Sequence, residues 1–197
     1  MEELTAKIAD IYLQYGIKSV TMNDIAGKIG ISKKTLYVHY SDKKDVINKV
    51  LQFLITNQNK GMNRFISDSG QNAIDKLFNM SKFITWHQHN INPVMIYDLQ
   101  KHYPDLWQQL YNYKQQAVYK HIMDNVSQGI REGFYLKELN YDIIASVYVS
   151  RMEMYSTDAW SSGMKYSFEE IFKTLFKYHI RGISTKKGID YLDKMGW

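Results

Sequence analysis

A chain of 197 residues, 45% hydrophobic and 23% charged, has room for one domain or two small ones and enough apolar side chains to fold. The absence of cysteine excludes disulfide frameworks, thiolate metal sites and thiol nucleophiles, and no apolar run approaches the roughly 18 residues of a membrane span. A net charge of +5 is compatible with a polyanionic partner, while two prolines and eleven glycines are too few for a strand-and-turn architecture. MEELTAKIAD lacks a signal-peptide core, so a cytoplasmic protein is expected.

The pattern is helical from end to end. Leu4, Ile8, Ile11, Tyr12 and Tyr15 form one amphipathic stripe that Gly16 stops. Thr21 caps a short helix to about Ile29, which Gly30 ends; Ser32 caps a third to about His39. Ser41 is the expected cap of a fourth, with Val46, Ile47, Val50, Leu51 and Leu54 on one face. Residues 72–89 carry the next apolar register, Asn92-Pro93 signals a start, and Pro104 opens a helix to about Glu132. Asn140 or Asp142 begins an eighth helix, to about Trp160. Ser167-Phe168-Glu169-Glu170 reads as a capping box for a ninth, to Ile183, followed by a polar, lysine-containing tail. The expected fold class is therefore all-α with about nine helices.

The informative stretch is 21–43, TMNDIAGKIGISKKTLYVHYSDK. Two short capped helices are joined by a tight turn at Gly30-Ile31, and Ile25, Ala26, Ile29, Ile31 and Leu36 would close them on each other. That is helix-turn-helix spacing, at about 21–40, in which the second helix enters the DNA major groove. Between Ser32 and Lys49 five lysines face two aspartates. Lys33, Lys34 and Thr35 occupy the first turn of the second helix, the end that points at base edges. Tyr37, His39 and Tyr40 follow and can donate to phosphate oxygens, as can Lys43 at the next helix start. Without DNA, the same residues would form a solvated corner of a helical protein.

Residues 21–46 resemble the DNA-binding segment of TetR-family (tetracycline-repressor-type) transcriptional regulators. The resemblance rests on Thr21, Ile25-Ala26, Gly30, Ser32, Thr35-Leu36-Tyr37, Tyr40, Lys43 and Val46, with Gly16 in YGIKSVT at the usual entry. Lys34 replaces a common glycine, Ile29 a small residue, and Asn23 a frequent basic one. The resemblance implies a helix-turn-helix domain over 1–46 and a six-helix ligand-binding and dimerisation domain over 47–197. It also implies a homodimer on double-stranded operator DNA, released as a repressor by a small-molecule effector, with Thr21 among the DNA-contacting residues.

The remainder is read from its residues. Trp86, Tyr97, Trp107, Tyr111, Met123 and Tyr148 could line a cavity for a flat or apolar effector, or could be ordinary core. Two late helices, in which the resemblance places the dimer contact, present Tyr148, Arg151, Tyr155, Phe172, Phe176 and His179 as candidate interface residues. Arg151 either pairs with Glu169 or Glu170 across such an interface or reaches solvent past apolar neighbours. His87 and His89 are two apart, on different helix faces, so no metal site is expected. No cofactor is expected either. With no glycine-rich phosphate loop, no Glu-x-x-His pair, no nucleophile elbow and no thiol, an enzyme is disfavoured. The remaining alternative is a helical small-molecule-binding or scaffold protein without DNA binding.

Overall fold

The computed structural model describes residues 1–66, 70–89, 92–151 and 165–196, without the side chains of 87–89, 151 and 168. Ten helices are present among them: α1 (Glu2–Tyr15), α2 (Met22–Ile29), α3 (Lys33–His39), α4 (Lys43–Ile66), α5 (Ala73–His89), α6 (Pro93–His102), α7 (Pro104–Arg131), α8 (Tyr141–Arg151), α9 (Phe168–Ile183) and α10 (Lys186–Lys194). The described residues contain no strand, only an isolated antiparallel bridge between Tyr135 and Ser184. None of the described helices is long and apolar enough to cross a membrane.

Capping decides most of the boundaries. The Thr21 side chain accepts from the Asp24 amide and Asp24 returns the bond to the Thr21 amide, a reciprocal pair that satisfies two orphan donors of α2. Ser32 does half of this for α3, and Ser167 with Glu170 repeats the full box for α9. Asn92 caps α6, with Pro93 in its first turn. Asn140 Oδ1 accepts from the Ile143 amide and starts α8. Two expectations change. The start of α4 is capped by Asp42, whose Oδ1 accepts from the Asp45 amide at 2.8 Å, while Ser41 only donates its amide to Asp45. The expected polar tail folds as α10, because Thr185 accepts from the Gly188 amide and Leu192 is fully buried. The extent of α8 towards Trp160 lies outside the described residues.

The chain forms two compact units that alternate in sequence: Met1–Arg64 with Trp86–Asn112, and Phe65–Thr85 with Tyr113–Trp197. In the first, Ile8, Tyr12, Ile17, Ile25, Leu36, Ile47 and Val50 share one core with Met95 and Leu99 of α6 and Leu106 and Leu110 of α7. α6 and the first turns of α7 thus pack with the helix-turn-helix. Tyr12 Oη in that core is buried with no hydrogen-bond partner among the described residues. Burial, then Tyr103 and Tyr40, push its pKa far above the ordinary phenol value. Because the hydroxyl is desolvated without return, Tyr12→Phe is expected to leave stability unchanged or raise it by about 1 kcal/mol. A thermal melt checks this, and a clear loss would contradict it.

In the second unit, Ala73, Ile74, Phe78, Val126, Tyr135, Phe176, Ile180 and Leu192 form a separate core. Polar side chains fasten the start of α5 to α7: Glu132 accepts from the Ala73 amide at 2.8 Å, and Asn125 donates to the Ala73 carbonyl at 2.8 Å. α10 is tied down by Tyr191 to Asp75 and by Arg181 to Asp193.

Candidate nucleic-acid interface

α3 is a seven-residue helix held by a single buried anchor. Leu36 is fully buried in the first core, so residues on the opposite side must face outward. Lys33, Lys34 and Thr35 are all exposed in its first turn, and Tyr37 is 44% exposed. Lys33 and Lys34 form no ion pair among the described residues; the Lys33 ammonium lies 5.9 Å from the centre of the Tyr37 ring. The Ser32 cap satisfies the helix end from within and also shares a 2.8 Å hydrogen bond with the Thr35 hydroxyl, leaving the Lys33 and Lys34 side chains free to project. Val38, 75% exposed, stands beside them and escaped the sequence reading. A β-branched residue one helical turn after Lys34 was the available signal, since an apolar contact with a thymine methyl is one way bases are read.

The other three lysines of the basic run are used within the fold. Lys44 pairs with Asp105 at 2.5 Å. Lys49 donates to the His39 carbonyl at 2.9 Å and to Asp45 at 3.0 Å, placing a cation on the last turn of α3 where the helix dipole favours it. Its hydrogen bond is the main reason that the Asp45 carboxyl titrates below its usual range. Lys43, at the start of α4, rests on the Lys18 carbonyl at 3.3 Å. Desolvation lowers its pKa, opposed by Asp98 and Asp24. His39 is half-buried. Thr21 is exposed, but its hydroxyl is occupied by Asp24 at 2.6 Å.

Tyr40 requires a correction. It is 1% exposed, and its hydroxyl shares a 2.9 Å hydrogen bond with Thr5 of α1. A phenol buried against the first helix cannot reach a phosphate. Its position just past α3, with Lys49 5.1 Å from its ring, makes it the brace between α1 and the end of that helix.

The aromatic candidates fall in both units. In the first, Trp107 stacks on Tyr111 at 6.2 Å, Trp86 is 63% exposed, and Tyr97 is exposed with its hydroxyl accepting from Lys101 at 2.7 Å. In the second, Met123 is half-buried beside the core, and Tyr148 meets His179 edge-on at 4.2 Å between ring centres. Phe176 is buried against Phe78 and stacks on Phe172. Tyr155 and the Arg151 side chain lie outside the described residues. Burial lowers the pKa of His179 to about 4. The folded chain therefore resists protonation that the unfolded chain accepts near its ordinary 6.5, and stability is lost as pH falls from about 6.5 to about 4. His121, lowered first by burial, adds in the same direction. His179→Phe should flatten the fall in urea midpoint over that window; an unaltered pH slope would contradict this assignment. Among the described residues no group of three metal-ligating side chains is present.

Residues 5–50 match the family model described as "Bacterial regulatory proteins, tetR family". The chain is 21% identical over 174 residues to the uncharacterized HTH-type transcriptional regulator YvaF of Bacillus subtilis, covering 87% of this chain and 90% of that one. It is 27% identical over 149 residues to the HTH-type transcriptional repressor KstR2 of Mycobacterium tuberculosis, with 72% of each covered. Its fold is similar to that of a transcriptional regulator from Cytophaga hutchinsonii, with a TM-score of 0.77 at 18% identity over 93% of this chain and 98% of that one. The exposed, lysine-led α3 lies inside the matched segment, and residues 5–50 form a TetR-family helix-turn-helix segment of the kind found in bacterial transcriptional regulators.

Proposed function

We propose that the chain is a homodimeric repressor that grips an inverted-repeat operator with α3 and lets go when a small apolar or aromatic molecule binds. The observation that carries the DNA side is the orientation of α3: Leu36 buried, with Lys33, Lys34, Thr35 and Tyr37 outward on one short capped helix. In this reading residues 1–46 supply the DNA contacts, and residues 47–197 the effector site and the dimer contact. Repression is the function named for the relative KstR2.

Dimerisation is supported by apolar side chains left outward on the late helices. Ile143 and Val147 of α8 are exposed, and Tyr178 of α9 is 80% exposed. Tyr178 joins Tyr148, Phe172 and His179 as a candidate for that contact, and Met123 and Tyr148 stay candidates for the effector site. Two α3 helices must stand about 34 Å apart to enter successive major grooves on one face of the duplex. An effector that favours another spacing weakens DNA binding by the same factor by which DNA weakens effector binding.

Selecting duplexes from a random-sequence pool, with the mass of the bound species measured in solution, tests this reading. Two copies on an inverted repeat with half-sites about one helical turn apart are expected. Enrichment of no duplex would overturn it. The two tyrosines should separate cleanly. Tyr37→Phe should weaken duplex binding several-fold with an unchanged melt, by loss of an outward hydroxyl. Tyr40→Phe should cost about 1 kcal/mol of stability and leave affinity per folded molecule intact.

A further inference from the structure

We propose that Asp98 of α6 is a positioning residue for DNA binding, acting through the backbone of the turn that launches α2. The inference rests on the DNA-binding reading above and adds to it a residue far outside the helix-turn-helix sequence. Asp98 is a carboxylate only 5% exposed, on the same buried face of α6 as Met95 and Leu99. A charge in such a place must be satisfied by donors. One oxygen, Oδ2, accepts from the Ile17 amide at 2.9 Å and from the Lys18 amide at 2.7 Å. These amides belong to the turn between α1 and α2, where neither helix supplies them a carbonyl.

The geometry of the turn is fitted to that oxygen. Gly16 has φ +79°, and a Cβ built there would lie 3.0 Å from Asp98 Oδ2 and 3.0 Å from Val94 Cγ1. Only a glycine lets the backbone lie this close to α6 while turning the next two N–H groups onto one acceptor. A second hold lies six residues earlier, at the cap of α6: Asn92 Nδ2 donates to the Leu13 carbonyl at 2.7 Å. α6 thus grips both the last turn of α1 and the turn that follows.

The Lys18 residue passes the hold on. Its amide goes to Asp98, and its carbonyl receives the ammonium of Lys43, the first residue of α4. Three residues after Lys18 comes Thr21, the cap of α2. A displacement of α6 either breaks two charge-assisted bonds or carries the start of α2 and the Lys43 ammonium with it. The placement of α6 is therefore a condition of the α2–α3 pose that DNA requires.

The test uses the full chain and the duplex that the wild type enriches from a random-sequence pool, read by fluorescence anisotropy. Asp98→Asn removes the charge at nearly constant shape. It is expected to keep a cooperative melt, to speed hydrogen exchange of the Ile17 and Lys18 amides, and to weaken binding on the order of tenfold, a charged hydrogen bond's worth. Combined with Lys43→Ala, the loss should fall short of the product of the single losses, because the lysine depends on the same residue. Leu99→Ala, a neighbour in the same core, supplies the comparison for plain destabilisation. If it lowers the melt as much as Asp98→Asn and weakens binding as much, the role is structural only and the proposal fails. Asn92→Ser retains a helix cap and removes the second hold, so it should weaken binding in the same direction should Asp98→Asn not fold; unchanged binding in it would then overturn the proposal. Wild-type binding with equal affinity in Asp98→Asn overturns the positioning role alone, whereas a wild type that enriches no duplex overturns the DNA reading and this role with it.

Discussion

Reversing the charge of Lys33 and Lys34 together is expected to lower duplex affinity at least a hundredfold while leaving the helical spectrum and the melt unchanged. Both ammonium groups are exposed in the first turn of α3 and form no ion pair among the described residues, so the fold does not depend on them. Each contact of this kind contributes on the order of 1–3 kcal/mol to binding, and reversal adds repulsion from the phosphates to the lost attraction. A dimer would carry the change twice. The proper control is an equal change of net charge elsewhere: Lys137 and Lys194 are exposed in the second unit, and glutamate at both should weaken binding only slightly. Equal losses from the two pairs would mean that net charge, and not the α3 face, governs binding.

Gly129→Ala is expected to destabilise the second unit by a single methyl group. Within a long helix such as α7, alanine in place of glycine gains about 1 kcal/mol of propensity. Here that gain loses. A Cβ at 129 would lie 2.0, 2.3 and 2.7 Å from three ring carbons of Tyr135. The ring cannot step aside cheaply: Tyr135 is fully buried, and its hydroxyl donates to Asn125, which in turn holds the Ala73 carbonyl. Overpacking of this kind costs about 3 kcal/mol. Net of the propensity gain, about 2 kcal/mol is lost, which for a chain of this size lowers the melting temperature by roughly 4–8 °C. A melt at or above the wild-type value would show that the ring relaxes.

Much of the fold is legible in the sequence because its boundaries are set within four residues. Thr21, Ser32, Asn92 and Ser167 each cap a helix whose next few residues complete the motif. The same locality explains the slip at Ser41, since Asp42 offers an equivalent oxygen one position on and takes the cap. The α10 segment reads as polar because few of its side chains are apolar, yet Leu192 and its neighbour Ile189 find the second core. At the interface, Lys33 and Lys34 are legible because exposure in a helix's first turn follows from the buried position of Leu36. Tyr40 is not, because the group that claims its hydroxyl, Thr5, lies 35 residues earlier. Asp98 is further still from the turn it holds, about 80 residues. An acidic residue between Met95 and Leu99 was the only local sign of it. Likewise Gly16 reads correctly as a helix stop, while the close approach of α6 that demands a glycine there depends on the tertiary fold.

The most direct test of the central claim, that the outward face of α3 grips the phosphates and bases of duplex DNA, is a titration of wild-type affinity for the enriched duplex against salt concentration. Lysine–phosphate contacts release counterions, so the logarithm of the association constant should fall linearly with the logarithm of salt, by about 0.9 for each phosphate neutralised. With Lys33 and Lys34 engaged in both halves of a dimer, a slope of about −4 or steeper is expected, and the charge-reversed pair should flatten it. An affinity indifferent to salt, or a slope that survives the reversal of both lysines, would contradict the account.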